Sequence, residues 1–227
     1  MSEPVKPPSR AYRSQIRREQ AKLTRERIIE AAATLFLEHG YKGTTVARIA
    51  ESAGVAAETV YAAFGGKRGL LEGVVEHAIS DAPSDRTTTP EGGSHDAMVA
   101  DMAALPTSRE RLRAYVAFCC SVLARTSPFH AVLRGAADSE EFAVSLRARL
   151  LEERLDKQIR HLRLLVGAAL RAGITLEQAA ESFCALSSPE MHHLMTSELA
   201  WNPRAHEEWL ARFSEMELLG LESHADG

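Results

Sequence analysis

Four adjacent pairs in this chain are of types that do chemistry: Cys119-Cys120, Glu140-Glu141, Glu152-Glu153 and His192-His193. Thiols, carboxylates and imidazoles side by side suggest metal binding or acid–base work. Neighbours on a helix point about 100° apart, so none of these pairs converges on one point. No nucleophile elbow, phosphate loop or HExxH motif accompanies them. The three cysteines, Cys119, Cys120 and Cys184, show neither a CxxC nor a metal-ligand spacing, which fits buried thiols in a reducing compartment better than a disulfide framework. A redox switch is the alternative. The expectation is a protein with no catalytic residues, no metal and no cofactor.

The chemistry that remains is that of charge. Residues 1 to 79 hold 12 Lys and Arg against 9 Asp and Glu, whereas the rest of the chain holds 15 against 22, so a net charge of −4 hides a basic front and an acidic back. Before Ile28 the sequence is a basic arm, with Arg10, Arg13, Arg17, Arg18, Lys22, Arg25 and Arg27 among its cations. Such arms reach phosphates and grooves of nucleic acid. A hydrophobic share of 45% with 26% charged residues is that of a globular protein, and no apolar run approaches the roughly 20 residues of a membrane span. The polar, Arg-rich start offers no signal-peptide core, so a cytoplasmic address is expected.

The elements that must position this charge read as helices throughout; no period-2 alternation bounded by turn chemistry demands a sheet. The fold class is all-α. Thr24 is expected to cap a first helix with Ile28, Ala32, Leu35 and Phe36 inward, and Gly40 to stop it. Thr45 caps a short second helix holding Val46, Ile49 and Ala50. Ala53-Gly54-Val55 makes a tight turn, Glu58 to Phe64 a third helix, and Gly65-Gly66 a break before a fourth from Lys67 to about Ile79. Residues 80–106 read as a linker or mobile loop with a short helical piece near Met98 to Ala104. Thr107 with Glu110, and Thr175 with Gln178, form capping boxes; Ser127-Pro128, Ser188-Pro189 and Asn202-Pro203 mark three further starts. Between Glu140 and Gly173 one long helix carries a stripe of Leu151, Leu155, Ile159, Leu162, Val166 and Leu170.

A helix, a glycine turn and a second short helix is the organisation of a helix-turn-helix, whose second helix enters the major groove. Here Thr44-Thr45 precedes the pair, Glu58-Thr59-Val60-Tyr61-Ala62-Ala63-Phe64 follows the turn, and Lys67 opens the next helix. At these residues the sequence resembles the TetR family of bacterial regulators. The match runs from about Thr24 to Val75, and ARIAESAGVAAETVYAAFGGKRGLLEGVV follows the family's Thr-hydrophobic-Tyr-x-x-Phe ending and its Lys beyond. Ala56 and Gly66 depart from it, standing where Ser or Thr and where Ser or Asn are usual.

Charge and composition give a basic arm over 1–23 and a linker over 80–106, and the resemblance implies a helix-turn-helix domain with a connecting helix over 24–79 and a helical effector-binding and dimerisation domain over 107–227. By position, Thr45, Tyr61 and Lys67 match phosphate contacts, and Ala57, Glu58, Thr59, Ala62 and Ala63 fall where bases and phosphates are met. Arg17 and Arg18 of the arm join this DNA-binding set. With three alanines on the third helix, methyl contacts to thymine, backbone amides and DNA shape carry much of the readout.

For the second half the resemblance implies a pocket lined by Phe118, Val122, Phe129, Leu155, Ile159, Leu162 and Phe183, with Arg160, Arg163, His130 or Cys119 as polar handles. It also implies a dimer built by the last two helices, Pro189 to Trp201 and Pro203 to about Leu221, through Met191, Leu194, Met195, Leu199, Trp209, Phe213 and Met216. The expected protein is a homodimeric repressor that binds a pseudo-palindromic double-stranded operator and is released by a small hydrophobic or aromatic effector. A DNA-binding regulator without small-molecule control, or an activator, is the alternative, and plain core packing is the alternative for every pocket residue.

Overall fold

The computed structural model describes residues 10–80 and 95–220. The start of the basic arm, most of the expected linker and Leu221 lie outside the described residues. The chain divides into two compact units, one ending at Val74 and one beginning at Val75, and helices are the regular elements of both among the described residues.

In the first unit, α1 spans Arg10–Gly43, α2 Val46–Ala53 and α3 Ala57–Phe64, and α4, Lys67–Ser80, begins there. Thr24 is not a cap, contrary to the sequence expectation, because α1 runs through it from Arg10. The stretch before it is rich in Arg, Gln, Glu, Lys and Ala, strong helix formers that carry the helix past one threonine; Lys22 and Glu26, one turn apart, face each other at 3.9 Å. Gly40, expected to stop the helix, sits at φ 67° and kinks it, and α1 ends at Gly43. The core is Ile28, Ala32 and Phe36 of α1, Ile49 and Ala50 of α2, Val60 of α3 and Leu70, Leu71 and Val74 of α4, all buried.

The second unit holds α5 (His95–Ala103), α6 (Ser108–Ala137), α7 (Glu141–Val166), α8 (Leu176–Leu186), α9 (Pro189–His193) and α10 (Pro203–Leu218). Both capping boxes form, with the Thr107 and Thr175 hydroxyls accepting from the amides of Glu110 and Gln178. Ser188 and Asn202 cap α9 and α10 ahead of their prolines. Tyr115, Val116, Leu162, Leu165, Phe183 and Leu210 form the centre of the core.

Three expectations differ here. Ser127-Pro128 starts nothing: Pro128 lies inside α6 and Ser127 is buried. An interior proline costs about 3 kcal/mol, but stopping at Ser127 would forfeit a continuous buried face on which Leu133 alone contributes roughly 1.5–3 kcal/mol. Nearby carbonyls are taken by side chains, Val122 O by the Thr126 hydroxyl at 3.0 Å and Ser121 O by Arg125 at 2.9 Å. α7 ends at Val166 and passes through a 3-10 turn, Gly167–Ala169, before reaching Gly173. There α10 captures the chain, with Arg171 N donating to Leu218 O at 2.8 Å and its guanidinium to Glu217 O. α9 is short and continues as a π-helical turn, Leu194–Glu198.

The unbroken α6 also alters the reading of hydropathy. By length and composition it is apolar enough to cross a bilayer. In this fold it buries Leu112, Tyr115, Val116 and Leu123 among the other helices, as the core helix of a helical domain does.

Candidate DNA-binding head and ligand cavity

The head presents one helix almost bare. α3 buries only Val60 completely; Phe64 is half-buried, while Glu58, Thr59, Ala62 and Ala63 are exposed and Tyr61 is 55% exposed. Ala57 is half-buried. Such a helix contributes little to the core and is held by its ends. At its start, Gly54 at φ 64° closes α2 and the amide of Val55 donates to Ala50 O at 3.0 Å. Ala56 occupies the capping position with no side-chain bond, while the Thr59 amide turns back to Ala56 O at 3.0 Å. At its finish, Gly65 adopts φ 72°.

Arg25 of α1 clamps the far end of α3. Its guanidinium donates to Ala63 O at 2.8 Å and lies 4.1 Å over the Phe64 ring. On the α4 side, a Cβ on Gly69 would stand 2.0 Å from Phe64 O, so only glycine lets the two helices approach this closely. Lys67 ties α4 to the end of α1, donating from Nζ to Tyr41 O at 3.0 Å and lying 4.1 Å over the Tyr41 ring. An ammonium has three protons, so this latch leaves others for an anion. The Thr45 hydroxyl accepts from Arg48 N at 3.2 Å and remains exposed at the start of α2, and Arg17 and Arg18 are exposed on α1.

Sequence reasoning missed Arg25, Thr44 and Gly69. The signal for Thr44 was the doubled threonine: its buried hydroxyl lies 2.9 Å from both Leu35 O and Gly40 O, fastening the turn after α1. Arg25 carried no separable signal inside a run of arginines.

In the second unit a cavity of about 380 Å³ opens between α5, α6 and α7, with the end of α4 and the α8–α9 turn closing it, a size at the lower end of small-molecule sites. Its α6 wall is mainly apolar, with Tyr115, Phe118, Val122 and Leu123. Its α7 wall is not: beside Leu150 and Leu151 it bears Arg147, Arg154, Lys157 and Gln158.

Part of the polar wall is already paired. The Tyr115 hydroxyl lies 3.1 Å from His161 Nδ1, and His161 Nε2 lies 2.9 Å from the Asp96 carboxylate. His161 thus bridges the Tyr115 hydroxyl and the Asp96 carboxylate through its two ring nitrogens. Its bond to Asp96 holds that carboxyl below its usual range. Burial pushes the Cys119 thiol well up and Cys120 up to about 12, so neither is a thiolate at neutral pH. Burial, followed by the charge of Arg154, pushes His130 down to about 4, and burial with Lys157 lowers His95. Those two imidazoles are neutral at pH 7, which leaves Arg147, Arg154 and Lys157 as the fixed positive charges of the wall.

Residues 28–74 match the sequence profile of bacterial regulatory proteins of the tetR family. The chain carries the N-terminal module of the TetR family. Outside that TetR-type module the likeness lies in the fold. Over 55 residues the chain is 38% identical to the HTH-type transcriptional repressor ComR of Escherichia coli, covering 24% of this chain and 26% of ComR. Over 74 residues it is 39% identical to the HTH-type regulator TtgW of Pseudomonas putida, covering 33% of this chain and 54% of TtgW. These matches span between about a quarter and about half of the curated relatives' lengths. Among solved structures, NalD of Pseudomonas aeruginosa, the secondary repressor of the MexAB-OprM multidrug efflux pump, superposes with a TM-score of 0.63 at 18% identity over 88% of this chain and 98% of NalD. The regulator FadR of Bacillus subtilis, solved with stearoyl-CoA, superposes with a TM-score of 0.64 at 19% identity over 87% and 99%.

Within the TetR-type fold, the residues expected to line a pocket separate into two groups. Phe118 and Val122 stand on the cavity wall, as do His130 and Cys119 among the polar handles. Leu162 and Phe183 lie in the packed core, and Leu155 and Ile159 pack against it. Phe129, Arg160 and Arg163 are not on the wall. The cavity face of α7 is rotated from the expected stripe, onto 147, 148, 150, 151, 153, 154, 157, 158 and 161.

Proposed function

We propose that this chain is a transcriptional regulator that reads double-stranded DNA with α3, pairs with a second copy through its last two helices, and is released from its operator by a small molecule in the cavity. The observation that carries the reading is the exposure of α3. A helix held at both ends and burying only Val60 is free to lie in a major groove.

In this reading Thr45, Tyr61 and Lys67 bind phosphates, and Ala57, Glu58, Thr59, Ala62 and Ala63 meet bases and nearby phosphates. Arg17 and Arg18 add backbone contacts from α1. The alanine methyls suit thymine methyl groups and groove shape more than bidentate hydrogen bonding. Leu194, Leu199, Phe213 and Met216 are each more than a third exposed on the last two helices, and a second copy related by a two-fold axis would cover them. Such a dimer meets a pseudo-palindromic site. Repression is the sense favoured by likeness to ComR and NalD, both named repressors. Control by an effector is favoured by the cavity itself and by FadR, whose structure contains stearoyl-CoA. Action on DNA goes with a cytoplasmic location.

The test is fluorescence anisotropy of the full chain on DNA fragments flanking its own gene, beside a Lys67→Ala, Tyr61→Phe double variant. Saturable binding to one pseudo-palindromic fragment is expected, at least tenfold weaker in the variant and with a salt slope shallower by about one. Weak binding, equal on all fragments and indifferent to the substitutions, would refute it.

A further inference from the structure

We infer that the cavity takes an organic acid that also carries a hydrogen-bond donor, with Arg154 receiving the carboxylate, Gln158 accepting from a hydroxyl or amine, and the α6 wall holding a compact apolar body. The inference rests on the cavity being the effector site and deepens it to a ligand class.

Two orphaned polar atoms carry it, both on side chains that line the cavity. Arg154 Nε is buried with no hydrogen-bond partner among the described residues. Gln158 is only 4% exposed and its Oε1 is also without a partner. The orientation of that amide follows from its neighbour. The Ser187 hydroxyl gives its one proton to Phe183 O at 2.7 Å, so towards Gln158 it can only accept, and Gln158 Nε2 donates to it at 3.0 Å. Oε1 is therefore the atom left over, an acceptor that asks for a donor.

Arg154 and Gln158 are one helical turn apart on α7, so their Cβ atoms lie about 5–6 Å from each other. A carboxylate and a hydroxyl on one small molecule span that distance. A buried guanidinium N–H without an acceptor is costly, and a charge-assisted bond to a carboxylate removes the cost. Charge agrees: the cavity wall sets Arg147, Arg154 and Lys157 against Glu153 and Glu190, and Glu190 is shared between Arg147, at 3.3 Å, and the more distant charge of Arg154, so the wall keeps a positive excess. The opposite wall of Phe118, Val122 and Leu123 is apolar, so the ligand is an amphiphile.

Isothermal titration calorimetry of the full chain without DNA tests this with two donor-bearing acids, 3-hydroxydecanoate and 3-(4-hydroxyphenyl)propanoate, their methyl esters, and decanoate. At least one acid is expected to bind, at least tenfold tighter than its own ester. Arg154→Met is expected to lower acid affinity at least tenfold while changing ester affinity less than twofold, ester binding serving as the check that the cavity is intact. Gln158→Leu is expected to abolish the preference for 3-hydroxydecanoate over decanoate if the aliphatic acid is the binder, or to weaken the phenol at least fivefold if the aromatic acid is. Esters that bind as tightly as acids, acids indifferent to Arg154→Met, or no binding of either acid below millimolar concentration would overturn the assignment. Adding each compound to the DNA complex separates the two levels of the argument. Neutral esters that bind and release DNA would refute the ligand class but leave effector control standing; acids that bind yet leave the DNA complex unchanged would do the reverse.

Discussion

Among individual residues, those that determine how the head works are mostly the ones that fasten α3 rather than those on its exposed face. Arg25 and Lys67 each combine a hydrogen bond to a carbonyl with a cation over a ring, a pairing that fixes direction as well as distance. In the second unit the comparable residues are histidines. His192 is 7% exposed, its ring meets that of His206 edge to face at 4.9 Å, and burial, reinforced by His206, pushes its pKa down to about 4 from 6.5. Because the folded value is the lower one, the unfolded chain binds the proton first. Stability from this group is complete above about pH 6.5 and is lost as the pH falls towards 4. Thermal denaturation between pH 7 and 4.5 is expected to show a falling Tm, with a shallower fall in His192→Gln. An equal slope in the variant would assign the acid sensitivity elsewhere.

For elements, close approach and helix phase decide the outcome. Gly69 lies where α4 meets the end of α3, and the methyl of Gly69→Ala would clash with Phe64 O, a backbone atom that cannot swing aside. The variant is expected to lose roughly 1–3 kcal/mol of head stability, the usual cost of overpacking, seen as a lower unfolding midpoint and weaker DNA binding. A wild-type midpoint would show that the junction can relax. α7 teaches the matching lesson about phase. Its sequence has apolar residues on more than one face, and the regular series Leu155, Ile159, Leu162, Val166 faces core while the cavity receives another face, bearing Arg154 and Gln158. Periodicity measures how amphipathic a helix is but not which of two hollows its second face borders.

On the scale of the whole molecule, the exposed apolar residues of the last two helices are the outstanding feature. Leu199 is 56% exposed and Phe213 36%, and Trp201, Trp209 and Phe213 form a run of ring contacts alongside them. A Leu199→Glu, Phe213→Glu variant is expected to sediment as a monomer and to lose at least tenfold in operator affinity while keeping its helical circular dichroism. A variant that stays dimeric would place the interface on another face. The charge division between a basic front and an acidic back belongs to this scale too, and in the proposed function it would concentrate attraction for DNA in the first unit.

The sequence by itself determined whatever depends on a few neighbouring residues. The caps at Thr45, Thr107, Thr175, Ser188 and Asn202, the left-handed glycines at 40 and 54, and the helix-turn-helix all follow from local backbone chemistry, which a short stretch carries complete. Only the tertiary structure decided that Ser127-Pro128 would be overruled and that α7 would end at Val166 instead of Gly173. It also decided that the cavity would be walled by Arg154 and Gln158 rather than by Leu162 and Phe183. Each of those outcomes depends on partners far away in the chain. A buried leucine face outweighs a proline, the Leu218 carbonyl of α10 captures the Arg171 amide that would have extended α7, and a hollow exists only where several helices fail to meet.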